Sequence, residues 1–175
     1  MKKIVFSEKC LEYSYLGHVE DPDRVREAHE ILMRRGYEFL EPKPASDTDL
    51  LGAHSRGWIE RVRHGGYFDG DTPGGERIFE YANLSAGGAI LAAKERGLSL
   101  MRPPGHHAGT NGRAMGAPTL GFCYLNNIAI AVRNLNRPTL ILDIDGHHGN
   151  GTEEIFKGDP RVKVISLHRV GIYPG

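Results

Sequence analysis

Apolar positions along the chain fall into two alternating patterns: short aliphatic runs and longer stretches with helical spacing. Lys2 to Phe6 reads as a short opening strand. Asp21-Pro22-Asp23 then predicts a helix start, with Pro at an early position and acids near the N-terminus. Val25, Ala28, Ile31 and Leu32 give that helix an apolar face, and Gly36 ends it. Tyr37 to Leu40 reads as extended, up to Glu41-Pro42-Lys43-Pro44. Ser46, three residues before Asp49, caps a short helix, and Trp58, Ile59 and Val62 mark another. A Gly-rich loop follows over 65–75. Glu76 to Arg96 is a long helix presenting Ile78, Tyr81, Ala82, Leu84, Ala89, Ile90 and Ala93, with Gly97 at its C′ position. Next come a strand over Leu98 to Met101, a loop over 102–121 and a helix over Leu125 to Leu135. Strands over Thr139 to Asp145 and Val162 to Leu167 complete the series. Strands apolar on both faces, alternating with helices, predict an α/β fold with a mostly parallel sheet, as one domain over 1–175.

Composition narrows the classes of function. The 22 Lys and Arg balance 22 Asp and Glu, which leaves no electrostatic footprint for nucleic acid or an anionic membrane. No stretch approaches eighteen uninterrupted apolar residues, so no membrane span is expected. The opening MKKIVFSEKC is too short in its apolar run to be a signal peptide. Cys10 and Cys123 lie far apart and outside any CxxC pattern, which sets a reducing cytoplasm as the expected location. The 23 glycines and 9 histidines concentrate instead at 105–121 and 146–151, and these two segments carry the chemistry.

The stronger of the two is Asp143-Ile144-Asp145-Gly146-His147-His148-Gly149-Asn150. In an extended chain side chains alternate, so Asp143, Asp145 and His147 would leave one face. They sit at the carboxyl end of an apolar strand, where open α/β sheets place their ligand sites. A carboxylate and an imidazole two residues apart can converge on one zinc ion. Taken alone, the run also reads as a polar strand end capping the next helix. The second segment, Arg102-Pro103-Pro104-Gly105-His106-His107-Ala108, also follows a strand and should open on the same sheet edge. Prolines stiffen it, Gly105 permits a sharp turn, and paired imidazoles suit acid–base work near neutral pH. On its own, a His-His pair is more often incidental surface.

The segments RPPGHHA, GFCYLNNIAIA (Gly121 to Ala131), ILDIDGHHGNGT (Ile141 to Thr152) and SLH (Ser166 to His168), in this order, resemble the histone deacetylase superfamily. That superfamily also includes acetylpolyamine amidohydrolases and acetoin-utilisation proteins. The resemblance covers nearly the whole chain. It implies a three-layer arginase–deacetylase fold, here only its N-terminal part, and zinc-dependent removal of acetyl or acyl groups from lysine-like or polyamine amines. Residue by residue, it makes Asp145 and His147 two of three zinc ligands and His106 and His107 the pair flanking the zinc-bound water. Asp143 is the acid orienting His106, and Asn150 is the partner of His107. An Asn there stabilises an imidazolium less than a carboxylate does, so His107 is the better base. Asp143, Asp145, Ser166 and Leu167, with the His147 carbonyl, resemble a monovalent cation site for K⁺ or Na⁺. Phe156, Asp159 and Val162 match a second such site more weakly. Gly121 and Phe122 match the wall of a substrate tunnel, although Phe122 also reads as a core aromatic. Asp71 matches a rim residue that binds the substrate backbone, or is a solvated loop acid. Arg24 corresponds to a buried arginine below the site or is an ordinary first-turn helix residue. Cys123 reads as a small buried apolar side chain.

Two parts of the family pattern do not occur in these residues: a third zinc ligand, an aspartate, and a tyrosine for the oxyanion. No Asp follows Asp159, and Tyr173 lies in the wrong motif for that tyrosine. The expectation is therefore an incomplete catalytic unit that associates with a second copy or a C-terminal complementing chain. Two rival readings remain. An arginase-like two-metal enzyme would need an acid at position 149, where Gly149 stands. An inert fragment would act only through association, along an apolar edge strand at Val162 to Leu167.

Overall fold

The computed structural model of the protein describes residues 3–66 and 68–175. Lys2 and Tyr67, which fall in the expected first strand and Gly-rich loop, lie outside the described residues. Strand β1 is Ile4–Val5, flanked in parallel by β2 (Phe39–Leu40) and β3 (Leu98–Ser99), giving the order β2-β1-β3. A second parallel sheet pairs β6 (Thr139–Asp143) with β7 (Val162–Ser166), in a register that sets Asp143 opposite Ser166. The predicted strands are therefore present but shorter at their ends. The loop over 102–121 holds a hairpin that apolar periodicity does not announce, β4 (Ala108–Gly109) against β5 (Gly112–Arg113).

The helices follow the apolar spacing closely. Helix α1 is Asp23–Arg34, and α2 (Asp47–Leu51) opens on a full capping box between Ser46 and Asp49. Helix α3 (Arg56–His64) is capped by Ser55 and buries Trp58, Ile59 and Val62. Helix α4 (Ile78–Glu95) buries eleven of its 18 residues and packs against α5 (Asn127–Leu135). Its left-handed terminal residue is Arg96, not Gly97 as the sequence suggests. Gly97 is required for another reason: a Cβ there would run into the Lys3 carbonyl. Helix α6 (Asn150–Phe156) rises directly from the Asp143–Asn150 segment. Among the described residues no helix is long and apolar enough to cross a membrane.

Helix α1 buries none of its residues, and Leu140, Leu142 and Ile144 stand exposed in the structure. Helix α1 touches the sheet through His29, whose ring stacks on Phe6 at 3.9 Å. The core lies on the other side, between α3, α4, α5 and the loops of Tyr13 and Tyr124.

Candidate active site

The two motifs follow β3 and β6, strands of separate sheets, and a hydrogen bond between His106 and Asp143 brings them together. The chain leaves β6 at Asp143, so alternation along a continuing strand does not hold beyond it. Two successive turns take over: the Asp145 N–H donates to Asp143 Oδ1 at 3.0 Å, and the His147 N–H to Asp145 Oδ1 at 2.8 Å. Asp145 and His147 converge through these turns, not through the pleat. His147 Nδ1 lies 3.0 Å from Asp145 Oδ1.

The tandem histidines are locked from behind. The Thr152 N–H donates to the His106 carbonyl at 3.0 Å. The Asn126 amide donates to the Ala108 carbonyl at 2.9 Å. Buried His54 accepts from the Asn126 N–H at Nε2 (2.8 Å), so its Nδ1–H donates to the Gly109 carbonyl (2.9 Å). Gly151 lets α6 lie directly on the 107–108 backbone, which any Cβ would obstruct. The Glu154 carboxylate accepts from the Thr110 and Met115 N–H groups and pins the hairpin.

In front, each histidine has its own partner. His106 Nδ1 donates to Asp143 Oδ2 at 2.9 Å, and His107 Nδ1 donates to Asn150 Oδ1 at 2.8 Å. Asn150 is oriented by its own donation to the Ala114 carbonyl at 2.9 Å. The two rings lie 4.0 Å apart between centroids, His106 Nε2 is 4.0 Å from Asp145 Oδ1, and the His107 ring stands 6.0 Å from that of His147. Burial, with His106 and His147 nearby, lowers the His107 pKa to about 4. Burial pushes the Asp143 carboxyl up, but hydrogen bonds from His106 and the Asp145 N–H outweigh it and leave it below the usual range. The same balance, with the His147 N–H and His106 on the lowering side, holds Asp145 down.

The donor set of Asp145 and His147 suits zinc. Two ligands at about 2.0–2.1 Å from a tetrahedral ion sit roughly 3.3 Å apart, close to the 3.0 Å between Asp145 Oδ1 and His147 Nδ1. Among the described residues no group of three or more His, Cys, Asp or Glu side chains is arranged to hold a metal. The register of β6 and β7 brings Asp143 beside Ser166, and the Leu167 N–H donates to the Asp143 carbonyl. Phe156 is a core ring under Arg133, while the carboxylate of Asp159 pairs with Arg133.

Gly121 and Phe122 both adopt positive φ beside the histidines. A Cβ on Gly121 would meet His107 at 2.5 Å and Tyr173 at 2.8 Å. Phe122 is only partly buried, with His18 edge-on against its ring at 4.9 Å, and it lies outside the core cluster. Asp71 is no free loop acid: its carboxylate accepts from Thr119 Oγ (2.5 Å) and Thr72 Oγ (2.8 Å). Cys123 is fully buried.

The histone deacetylase domain profile matches residues 18–175. The chain belongs to this family. It is 44% identical to a probable deacetylase of Methanothermobacter thermautotrophicus, covering 95% of this chain and 54% of that protein. It is 36% identical to a histone deacetylase-like amidohydrolase of Pseudomonas aeruginosa, over 90% of this chain and 46% of that one. The crystal structure of the HDA15 HD domain superposes with a TM-score of 0.86 at 33% identity, covering 99% of this chain and 57% of that one. The architecture is therefore the α/β arginase–deacetylase fold, and the chain spans about half the length of the curated relatives it matches.

Of the two readings of Arg24, the ordinary one holds. It is an exposed first-turn residue of α1, and the buried arginine is Arg102, 2% exposed. Arg102 donates to the carbonyls of Cys10, Tyr13 and Glu20 and to the Glu20 carboxylate, itself 3% exposed. Reading RPPGHHA for its histidines passed over its arginine, although a charged residue ahead of two prolines was the available signal. Tyr173 was also underrated. Its hydroxyl donates to the Thr119 carbonyl at 2.8 Å, and its ring packs edge-on against His107 at 4.8 Å. His18, Asp69 and Thr72 at the rim were missed, because nothing in their local sequence links 18–20 and 69–72 to 119–122.

Proposed function

We propose that the protein is the part of a zinc-dependent amide hydrolase that carries its proton-transfer residues and two of its metal ligands. The substrate class is acetylated lysine-like or polyamine amines. The observation that carries this is the pair His106 and His107, each fixed through Nδ1, with His106 Nε2 4.0 Å from Asp145 Oδ1 and the His107 ring 6.0 Å from that of His147. The chemistry zinc would supply there is polarisation of the amide carbonyl and a more acidic water.

The remaining work falls to the chain's own groups. His107, neutral across the physiological range, takes one proton from the attacking water at Nε2 as the oxygen adds to the acetyl carbon. The C–N bond then breaks, and a proton returned from the histidine pair leaves with the amine, so that acetate and free amine are the products. Asp143 holds His106 in the tautomer with Nδ1–H. Gly121, Phe122 and Tyr173 form an apolar wall against which an alkyl chain can lie. Asp143, Asp145, Ser166 and Leu167, with the His147 carbonyl, offer oxygens to K⁺ or Na⁺ beside the zinc position.

Catalytic zinc sites use three protein ligands, and this reading supplies two, Asp145 and His147. Residues 1–175 alone should therefore show at most trace deacetylation of a fluorogenic acetyl-lysine substrate. Zinc titration by calorimetry, with Asp145→Ala and His147→Ala, tests the ligand assignment. Unchanged zinc affinity in both variants, or robust turnover by residues 1–175, would refute the reading.

A further inference from the structure

The proton on His107 Nδ1 is set by Asn150, and Asn150 is set in turn by a group outside the pair. A carboxylate beside an imidazole can only accept, so the facing nitrogen must carry the proton. A carboxamide accepts through one end and donates through the other, so its orientation has to be imposed. Here the Ala114 carbonyl imposes it. That carbonyl takes the Asn150 Nδ2–H at 2.9 Å and leaves Oδ1 to receive the His107 Nδ1–H at 2.8 Å. His107, Ala114 and Asn150 are 4%, 0% and 1% exposed, which shuts solvent out of this relay. The Ala114 carbonyl and the Met115 N–H belong to one planar trans peptide, so they point in opposite directions and turn together. The Met115 N–H donates to Glu154 Oε2 and the Thr110 N–H to Glu154 Oε1, both at 3.2 Å. Glu154 follows Asn150 by four residues in α6, one turn along the same face. One helix therefore grips the 114–115 peptide at both ends, its carbonyl through Asn150 and its N–H through Glu154.

The grip matters because this peptide is strained. The Ala117 N–H closes a turn on the Ala114 carbonyl at 3.0 Å, and the turn passes through Met115 at φ 54° and Gly116 at φ 77°. Left-handed backbone suits glycine and not methionine, and turning the 114–115 peptide over would return Met115 to an ordinary φ. The overturned peptide would offer Asn150 an N–H. Asn150 would then accept with Oδ1 and donate from Nδ2 to His107, whose proton would have to sit on Nε2. That tautomer has no free Nε2 lone pair and cannot act as a base there. The hairpin also makes room for the carboxylate: a Cβ on Gly109 would lie 2.3 Å from Glu154 Oε1. We propose that Glu154 is a positioning residue that fixes the tautomer of His107 through the 114–115 peptide and Asn150. The role rests on the reading of His107 as the base, whereas the relay of hydrogen bonds stands without it.

The test is an NMR measurement on residues 1–175, isotope-labelled at the histidine nitrogens, at about pH 8, where imidazoles are neutral. Ring nitrogen shifts and their couplings to the ring protons separate the Nδ1–H from the Nε2–H form. The natural chain should show His107 as Nδ1–H. In Glu154→Ala at least half of that population should pass to Nε2–H, with the fold checked by thermal melting. Gly109→Ala keeps the carboxylate but places a methyl 2.3 Å from its Oε1, and should shift the tautomer the same way. It carries the test if Glu154→Ala does not fold. Adding Asn150→Asp to either variant should restore the Nδ1–H form, because a carboxylate accepts whichever way the peptide faces. An unchanged tautomer in a folded variant would overturn the proposal. So would a shifted tautomer that Asn150→Asp leaves shifted, since that outcome is general distortion of the ring's surroundings. None of these readouts uses deacetylation or zinc, so failure here is distinct from failure of the catalytic reading.

Discussion

Acidification should weaken the fold in a window that His54 and His107 define together. Its ring is almost wholly buried, with one nitrogen accepting from the Asn126 N–H and the other donating to the Gly109 carbonyl. Burial lowers its pKa from 6.5 to about 4. Protonation would aim a second N–H at the Asn126 donor, with no acceptor available. Because the unfolded chain then binds a proton that the folded chain refuses, stability is complete above about pH 6.5. It falls steadily as the pH drops toward about 4. A difference of about 2.5 pH units corresponds to roughly 3 kcal/mol for this one side chain. His107 acts in the same direction. Asp143, Asp145 and Asp49 sit below 3.8, so their losses begin only below that window. Asp69, raised by burial and by Asp71, works weakly the other way. The assay is urea unfolding by circular dichroism at pH 7, 6, 5 and 4.5, for the natural chain and His54→Gln. The variant should be less stable at pH 7 but lose about half of the pH dependence. A variant whose stability falls with the same slope as the natural chain would show that His54 is not the titrating group.

Asn150→Asp places a carboxylate on His107 Nδ1 and should raise the His107 pKa from about 4, seen as an upfield-shifting imidazole resonance at higher pH in an NMR titration. Arg102→Met strands the buried Glu20 carboxylate and three carbonyls. It should cost about 3–5 kcal/mol, measured by chemical unfolding. Gly149→Ala drives a methyl into Asp143 Oδ2 and toward His106. It should lower turnover of the completed enzyme by about a hundredfold, the scale of a 1 Å misplacement, while melting shifts little. The same crowding bars the carboxylate that an arginase-like second metal would need at this position.

Much of the site was legible because its chemistry is local in the chain. Asp143, Asp145 and His147 lie within five residues, and His106 and His107 are adjacent, so a strand end and a short loop suffice to present them. Pairings between distant segments were not open to the same argument. His106 to Asp143 and His107 to Asn150 span 37 and 43 residues, and only the family resemblance joined them in advance. Cap chemistry was readable at Ser46 and missed at Asn126, whose amide reaches across to Ala108 and Thr152 as well as capping α5.

What the sequence by itself determined is the order and kind of the elements and the two clusters of chemistry. Apolar periodicity and residue type act over a few residues and need no partner to be read. Tertiary structure alone decided which arginine is buried, where Tyr173 lies, and which apolar faces stay bare. Each depends on what a distant segment supplies. Glu20 and three backbone carbonyls make burial of Arg102 tolerable, whereas Arg24 finds only a single long contact to Glu20. The β3 and β6 edges look like interior strand in sequence. Hydrophobic pattern records that a residue is to be covered, and only the packed fold shows by what.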